Sequence, residues 1–259
     1  MLPDTFRDTG LSLYRADDVT PTRFQVLGER GTGTNLARKL LEKNTHLERS
    51  EALGWKHALP HMVGVPADMV VICVVRHAES WALSMHKRPW HAHPALQSMT
   101  FSDFIRAPWH GIVDRPSDFA QIPEGHVLRN RELQFDRHPI TGLPFANLFA
   151  LRRVKQAGLL GMLNRGCNVV FVQTEMVQRD PEGYVERFRA LFDLKQKGKG
   201  FRGVHRRLGN LHKVSVTDHP ETPREMTAED RAFMIDQLDL AAETALGYHY
   251  GPGDRPGAQ

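Results

Sequence analysis

Three short runs of the sequence, Phe24 to Leu27, Met69 to Val75 and Asn168 to Val172, are apolar without alternation and rich in β-branched residues. A strand that alternates has one wet face, whereas a strand that does not is buried on both, so such runs belong inside a parallel sheet. Each is followed by polar residues and then by apolar residues at helical spacing: Leu36, Leu40 and Leu41; then Ala78, Trp81, Ala82 and Met85; then Tyr184, Phe188, Leu191 and Phe192. Strand, polar loop and helix, repeated three times, predict an α/β fold: a three-layer sandwich with a central parallel sheet. A weaker fourth strand is expected at Ala52 to Lys56.

Length and composition fit that class. The 259 residues, 41% hydrophobic and 25% charged, suffice for a large core, and a single domain over 1–259 is expected. The longest apolar stretch, Met69 to Val75, is far shorter than the roughly 20 residues of a membrane-spanning helix. The N-terminus lacks a basic-then-apolar signal pattern, so a cytoplasmic location is expected. Lys and Arg number 34 against 30 Asp and Glu, an excess that favours an anionic ligand without implying a nucleic-acid partner. Cys73 and Cys167 lie in or beside apolar runs and are expected to be reduced and buried.

Residues 88–146 break the rhythm. They hold seven of the sixteen prolines, a density that prevents long helices and central strands. Long insertions of this kind in α/β folds commonly serve as lids or binding loops; their Trp90 and Trp109 either stack on a ligand or belong to the core. A helix is expected from near Phe145 through Leu151, Val154 and Leu159, with Arg152, Arg153 and Lys155 on its flanks. A final helix is expected from Thr227, where Thr227 to Asp230 matches a capping box ahead of Phe233, Ile235, Leu238 and Leu240. Residues 249–259 are expected to fray.

Two loops carry the chemistry. Gly28-Glu-Arg-Gly-Thr-Gly-Thr-Asn35 lies between an apolar strand and a helix, the setting in which glycines turn backbone amides into a phosphate cradle at a helix N-terminus. Gly28 and Gly33 have the separation of the nucleotide-binding pattern, but Thr34 stands where its lysine belongs and Asn35 where its magnesium-binding hydroxyl belongs. Arg30 offers a cation from inside the loop, and Thr32 and Thr34 offer hydroxyls. The second loop begins at Arg76, at the carboxyl end of a buried strand, where ligands gather in open parallel sheets. Ser84 follows two helical turns later, so both side chains can meet one anion.

Together these loops resemble the sulfotransferases that use 3′-phosphoadenosine 5′-phosphosulfate (PAPS), whose strand-loop-helix with Gly, Ser, Thr and a cation binds the 5′-phosphosulfate and whose Arg and Ser, eight residues apart, bind the 3′-phosphate. Trp55-Lys56-His57-Ala-Leu-Pro60 is similar to the family's Lys-Thr-His-Leu-Pro segment, with the histidine directly after the lysine. Val170 to Val177 with Asp180-Pro-Glu, and Leu246-Gly-Tyr248, are similar to its later strand and its helical ending. The first loop is one residue longer than the family's before its second glycine, and 88–146 has no counterpart. The resemblance implies a P-loop NTPase-like fold and sulfuryl transfer from PAPS to a hydroxyl of a small-molecule or glycan acceptor. It implies a nucleotide site of Arg30, Gly31, Thr32, Gly33, Thr34, Asn35, Arg76 and Ser84. His57 is then the candidate base, with Lys56 and Arg30 stabilising the transferring group. It also implies that the basic glycine-rich run at 195–207, with Lys197, Lys199 and Arg202, closes over the 3′-phosphate end. A run of this composition is otherwise a solvated loop.

No metal is expected, because fixed cations replace it and neither His57 with His61 nor His91 with His93 has an acidic partner near in sequence. Two alternatives stand: a P-loop kinase-like phosphotransferase, which needs the missing lysine and hydroxyl, and a non-catalytic nucleotide-binding protein on a degenerate loop.

Overall fold

The computed structural model describes residues 2–16, 18–119, 122, 126–205 and 215–251. Among the described residues five strands form one sheet: β1 (Leu11–Tyr14), β2 (Arg23–Leu27), β3 (Glu48–Arg49), β4 (Met69–Val75) and β5 (Asn168–Gln173), in the order β1-β5-β4-β2-β3. The three strands expected from the sequence are present and pair in parallel, β4 between β2 and β5. The sheet is mixed rather than all parallel, because β1 runs antiparallel to β5 with Leu11 opposite Val172. β1 is an edge strand, buried at Leu11 and exposed at Tyr14, so it lacks the doubly buried character that marks the inner strands. The expected strand at Ala52 to Lys56 is a turn, held by the buried Gln25 of β2. Its amide donates to the Gly54 carbonyl at 2.8 Å and its carbonyl accepts from the Leu53 amide at 2.9 Å. The edge is closed instead by the two residues of β3.

Ten helices follow among the described residues: α1 (Phe6–Thr9), α2 (Thr34–Asn44), α3 (Ala78–Lys87), α4 (Pro94–Gln97), α5 (Phe101–Arg106), α6 (Leu148–Leu160), α7 (Thr174–Arg179), α8 (Pro181–Leu191), α9 (Ala228–Gln237) and α10 (Leu240–Ala245). They cover both faces of the sheet. Leu40 and Leu41 of α2 pack with Tyr184 and Phe188 of α8 on Phe24, Ile72 and Val170. Trp81 and Met85 of α3 pack with Phe149 of α6 and Phe104 of α5 on Val71, Cys73 and Phe171. Trp81, Phe149 and Phe171 on one face and Phe24, Phe188 and Phe192 on the other are at most 1% exposed, and each such burial stabilises by roughly 1.5–3 kcal/mol. Both cysteines are buried and free.

Among its described residues the proline-rich insertion has only short helices, α4, α5 and the 3-10 turns Pro116–Asp118 and Gln134–Asp136, together with isolated bridges such as Ile112 to Glu132. It is packed against the fold. Phe104, Ile105 and Trp109 enter the main core, and Val113, Phe119 and Leu133 form a smaller cluster on Trp55. Arg152 and Lys155 of α6 are buried rather than on its flanks, because carboxylates from distant segments meet them.

The C-terminal region departs from expectation twice. Thr227 does cap α9, accepting from the Asp230 amide at 3.0 Å, but the helix stops at Gln237. Leu238 is extended and turned into the core, and Asp239 caps a second helix, α10, at the Ala242 amide. The expected fraying at 249–259 does not hold at its start: Tyr250 is 9% exposed, and its hydroxyl donates to Glu243 at 2.6 Å. Residues 252–259 lie outside the described residues.

Candidate functional site

The carboxyl ends of β2 and β4 open into a cleft of about 1310 Å³. The first wall is the loop after β2. Gly31 and Gly33 take positive φ of 78° and 76°, which lets the loop turn sharply into the N-terminus of α2. The Thr34 and Asn35 amides at the start of α2 have no intrahelical partner, whereas the Leu36 amide donates to the Gly33 carbonyl at 2.8 Å; Gly33, Thr34 and Asn35 all line the cleft. Gly33 also permits close packing, since a Cβ there would lie 2.9 Å from Thr174 Cγ2. Thr32 is fully buried, and its hydroxyl donates back to the Glu29 carbonyl at 2.7 Å. Its own carbonyl accepts from the Thr174 hydroxyl, so Thr32 braces the loop from within. Thr34 is buried at the helix start, its methyl against Gly28.

Arg76 and Ser84 meet at the loop. Arg76 donates to the Gly31 carbonyl at 2.8 Å, and a Cβ on Gly31 would lie 3.2 Å from Ser84 Oγ. Three residues from two segments, 45 and more positions apart, therefore converge on one spot. The backbone under Arg76 is fixed: its carbonyl accepts from Arg152 at 2.8 Å. The N-terminus of α3 just beyond is closed by protein groups, with the His77 amide donating to Glu175 and the Ala78 amide to the Tyr250 hydroxyl.

Lys56 and His57 form the opposite wall. Lys56 donates to the Asn35 side chain at 2.8 Å, so an ammonium reaches the mouth of the loop from another segment although position 34 lacks one. Burial, then the nearby Arg38 and Arg49, bring its pKa down to about 8. His57 places Nδ1 2.6 Å from the Gly28 carbonyl. A carbonyl only accepts, so Nδ1 carries the proton and Nε2 holds the lone pair. Burial, reinforced by Lys56, holds the imidazole well below its ordinary value, so the ring is neutral at pH 7. Trp55 packs edge-on against it at 5.2 Å.

Arg30 is placed behind the loop. Its guanidinium pairs with Asp136 at 2.5 Å and lies over the rings of Trp109 and Trp55. The pair is nearly dry, at 5% and 1% side-chain exposure. Lys155 approaches the same carboxylate at 3.4 Å, and Trp109 donates to it at 2.8 Å. Burial pushes the Asp136 carboxyl up, but Arg30 and Lys155 outweigh it and hold it below the usual range. Nη1 of Arg30 is buried without a partner, and the residue lines the cleft. Of the two tryptophans, Trp109 is core and Trp90 lines the cleft with Arg115 over its ring at 4.7 Å.

Beneath the loop, Arg152 sits between two carboxylates, Glu243 at 2.7 Å and Glu29 at 3.1 Å. Glu243 takes two of its bonds, and Glu29 keeps one oxygen without a partner. Burial thus prevails over Arg152 at Glu29 and raises its pKa to about 7.

The basic run lies elsewhere. Lys197 donates to the Glu42 carbonyl at 3.1 Å, Arg202 donates to the Lys43 carbonyl at 3.0 Å, and the Arg202 amide donates to Asn44 at 2.7 Å. These cations meet the carbonyl end of α2, where positive charge is favoured. Lys199 is exposed, and none of the three lines the cleft, although Val204 and His205 do. Residues 206 and 207 of the run lie outside the described residues. No group of three or more metal-ligating side chains occurs among the described residues.

Sequence reasoning missed Asp136, Lys155, Glu29, Arg152 and Glu243. The Arg30 to Asp136 contact spans 106 positions and that of Arg152 with Glu243 spans 91, beyond any local pattern. No helix among the described residues is long and apolar enough to cross a membrane. No family model, curated protein or solved structure matches this chain.

Proposed function

We propose that the chain is a sulfotransferase on a P-loop NTPase-like frame, moving the sulfuryl group of PAPS to an acceptor hydroxyl. The observation that carries this reading is the convergence of the Gly31 to Asn35 cradle, Arg76, Ser84 and Lys56 on one cleft end. Such a set offers two kinds of anion grip, one of amides and an ammonium, the other a guanidinium and a hydroxyl. A ligand with a phosphate at each end of a nucleoside uses both, and charge-assisted bonds of roughly 1.5–3 kcal/mol each make the second phosphate a strong discriminator.

PAPS supplies the sulfuryl group, which passes to the acceptor oxygen as the bond from sulfur to the bridging phosphate oxygen breaks. His57 takes the acceptor proton at Nε2, being neutral and held by its Nδ1–H to Gly28. Lys56 stabilises the negative charge left on the phosphate side. Arg30, anchored by Asp136, fixes the loop and has Nη1 left to donate.

Retention on immobilised adenosine 3′,5′-bisphosphate without magnesium, lost in Arg76→Ala, is the expected result. Retention of ATP that needs magnesium supports a kinase instead, and retention of neither nucleotide supports a protein with a degenerate loop. In single turnover of labelled PAPS with an accepted hydroxyl compound, His57→Ala falls by about 100-fold or more. A full rate at saturating PAPS refutes the role given to His57.

A further inference from the structure

The cleft carries more positive charge than the proposed donor uses. Ten Lys and Arg side chains line it against three Asp and Glu, a surplus of seven, in a chain whose entire surplus is four. PAPS carries about four negative charges at neutral pH, and Asp136 and Glu42, which pair with Arg30 and with Arg38 and Lys39 from outside the lining, supply two more, which leaves about one positive charge unmatched. The cleft volume of about 1310 Å³ also exceeds the roughly 300–1,000 Å³ typical of a single small-ligand pocket, so a second molecule fits beside the nucleotide.

One group of these cations lies on the side of the loop away from Arg76 and Ser84, while Lys87 and Arg88 follow Ser84 at the end of α3. Strand order sets this arrangement: β4, which leads into Arg76, flanks β2 on one side, and β3, which ends at Arg49, flanks it on the other. Asn35, Arg38 and Lys39 follow the i, i+3, i+4 spacing that puts side chains on one helical face, and all three line the cleft. Lys56 docks on that face through Asn35, a neutral partner. Arg38 and Lys39 share one carboxylate, Glu42, so two cations have one counter-charge, and Arg38 Nε is buried without a partner. Arg49 pairs with Glu51, but both are more than 40% exposed, and exposed pairs hold weakly enough to exchange for a ligand. Burial lowers the pKa of Lys56 most, and the like charges of Arg38 and Arg49 lower it further.

We infer that Arg38 and Arg49 form a second anion subsite beside Lys56, and that the acceptor is a hydroxyl compound bearing a carboxylate or sulfate of its own. This rests on the sulfotransfer reading. The anionic group of the acceptor sits on the β3 side of the loop, the donor nucleotide on the β4 side, and the reacting hydroxyl lies between them, near Lys56 and His57.

The test is calorimetric titration of the protein saturated with adenosine 3′,5′-bisphosphate, using p-nitrophenyl β-glucoside, its glucuronide and its 6-sulfate. The anionic glycosides are expected to bind at least about tenfold more tightly than the neutral one, since one or two charge-assisted bonds are worth that or more. Comparing the two anionic compounds separates carboxylate from sulfate. In the double variant Arg38→Gln, Arg49→Gln the advantage falls below about twofold, while affinity for adenosine 3′,5′-bisphosphate stays within about twofold of wild type, which also shows that the variant is folded. Equal binding of neutral and anionic glycosides, or binding of none, overturns the inference. So does a loss of nucleotide affinity as large as the loss of glycoside affinity, which assigns the stripe to the nucleotide. A wild type that fails to bind adenosine 3′,5′-bisphosphate defeats the donor reading instead, and the glycoside series without nucleotide then judges the subsite alone.

Discussion

Replacing Asp136 by asparagine removes one negative charge and almost no volume from beneath the loop after β2. In the wild type this carboxylate faces Arg30 and Lys155, each 5% exposed in its side chain, and accepts from Trp109. Asparagine retains an acceptor oxygen but leaves both cations buried without that counter-charge. Breaking a buried pair by removing one partner costs about 3–5 kcal/mol. The retained hydrogen-bonding capacity puts Asp136→Asn near the lower end, at about 3 kcal/mol. For a chain of this size that corresponds to a fall of roughly 6–12 °C in Tm, and in urea to a midpoint lower by about 1 M or more with little change in slope. The sign with pH is fixed as well. A carboxyl held below its ordinary range contributes stability that is complete above the unfolded value, near pH 4, and disappears as pH falls through the folded value. Wild type and variant are therefore expected to differ fully at pH 7 and to converge in strong acid. Equilibrium urea unfolding at both pH values measures this. A variant within about 1 kcal/mol of wild type at pH 7 refutes the view that Asp136 neutralises a buried cationic pair.

Glu29, with its pKa raised to about 7, contributes stability that is complete below its unfolded value and declines as pH rises through the folded one. Unfolding from pH 4.5 to 7.5 is expected to show a loss of about 3 kcal/mol that is absent in Glu29→Gln; parallel curves for the two proteins contradict it. Lys56, at about 8, loses its proton as pH rises. Affinity for adenosine 3′,5′-bisphosphate is thus expected to fall above pH 8 in the wild type and to hold to higher pH in Lys56→Arg; identical profiles from pH 7 to 10 exclude Lys56 from the grip. Gly31→Ala places a Cβ 3.2 Å from Ser84 Oγ at a φ of 78° and is expected to weaken nucleotide retention about tenfold or more. Folding then costs only about 1–3 kcal/mol of backbone strain, and undiminished retention shows that the nucleotide does not use this corner.

What the sequence made legible was whatever repeats locally. β2, β4 and β5 declare themselves because strands buried on both faces must be apolar throughout, and Arg76 and Ser84 because a strand end and the next helix face are set by a few residues of spacing. β1 was missed since an edge strand need not be apolar, and Leu11-Ser-Leu-Tyr14 alternates. The sequence puts Arg152 and Lys155 on the flanks of α6, where a charged side chain is ordinarily wet. Their burial depends on Glu243, Glu29 and Asp136, none of which is near them in the chain. The basic run around Lys197 and Arg202 shows the converse: its charge is plain in the sequence, but its docking on the end of α2 is decided by carbonyls that every residue has.

The bond from the Ala78 amide to the Tyr250 hydroxyl joins groups 172 positions apart and has a consequence for how the protein comes into being. A chain growing from its N-terminus holds the loop after β2 and the arginine after β4 long before it holds Tyr248 and Tyr250. Until those tyrosines emerge, the first turn of α3, the Glu175 carboxylate and the Glu243 end of the Arg152 network lack their closing partners. During synthesis, the clasp on the first turn of α3 therefore closes late, only once Tyr250 is available. A nascent chain stalled short of Tyr250 carries every glycine of the loop after β2 and still lacks the hydroxyl that holds the Ala78 amide beside Arg76.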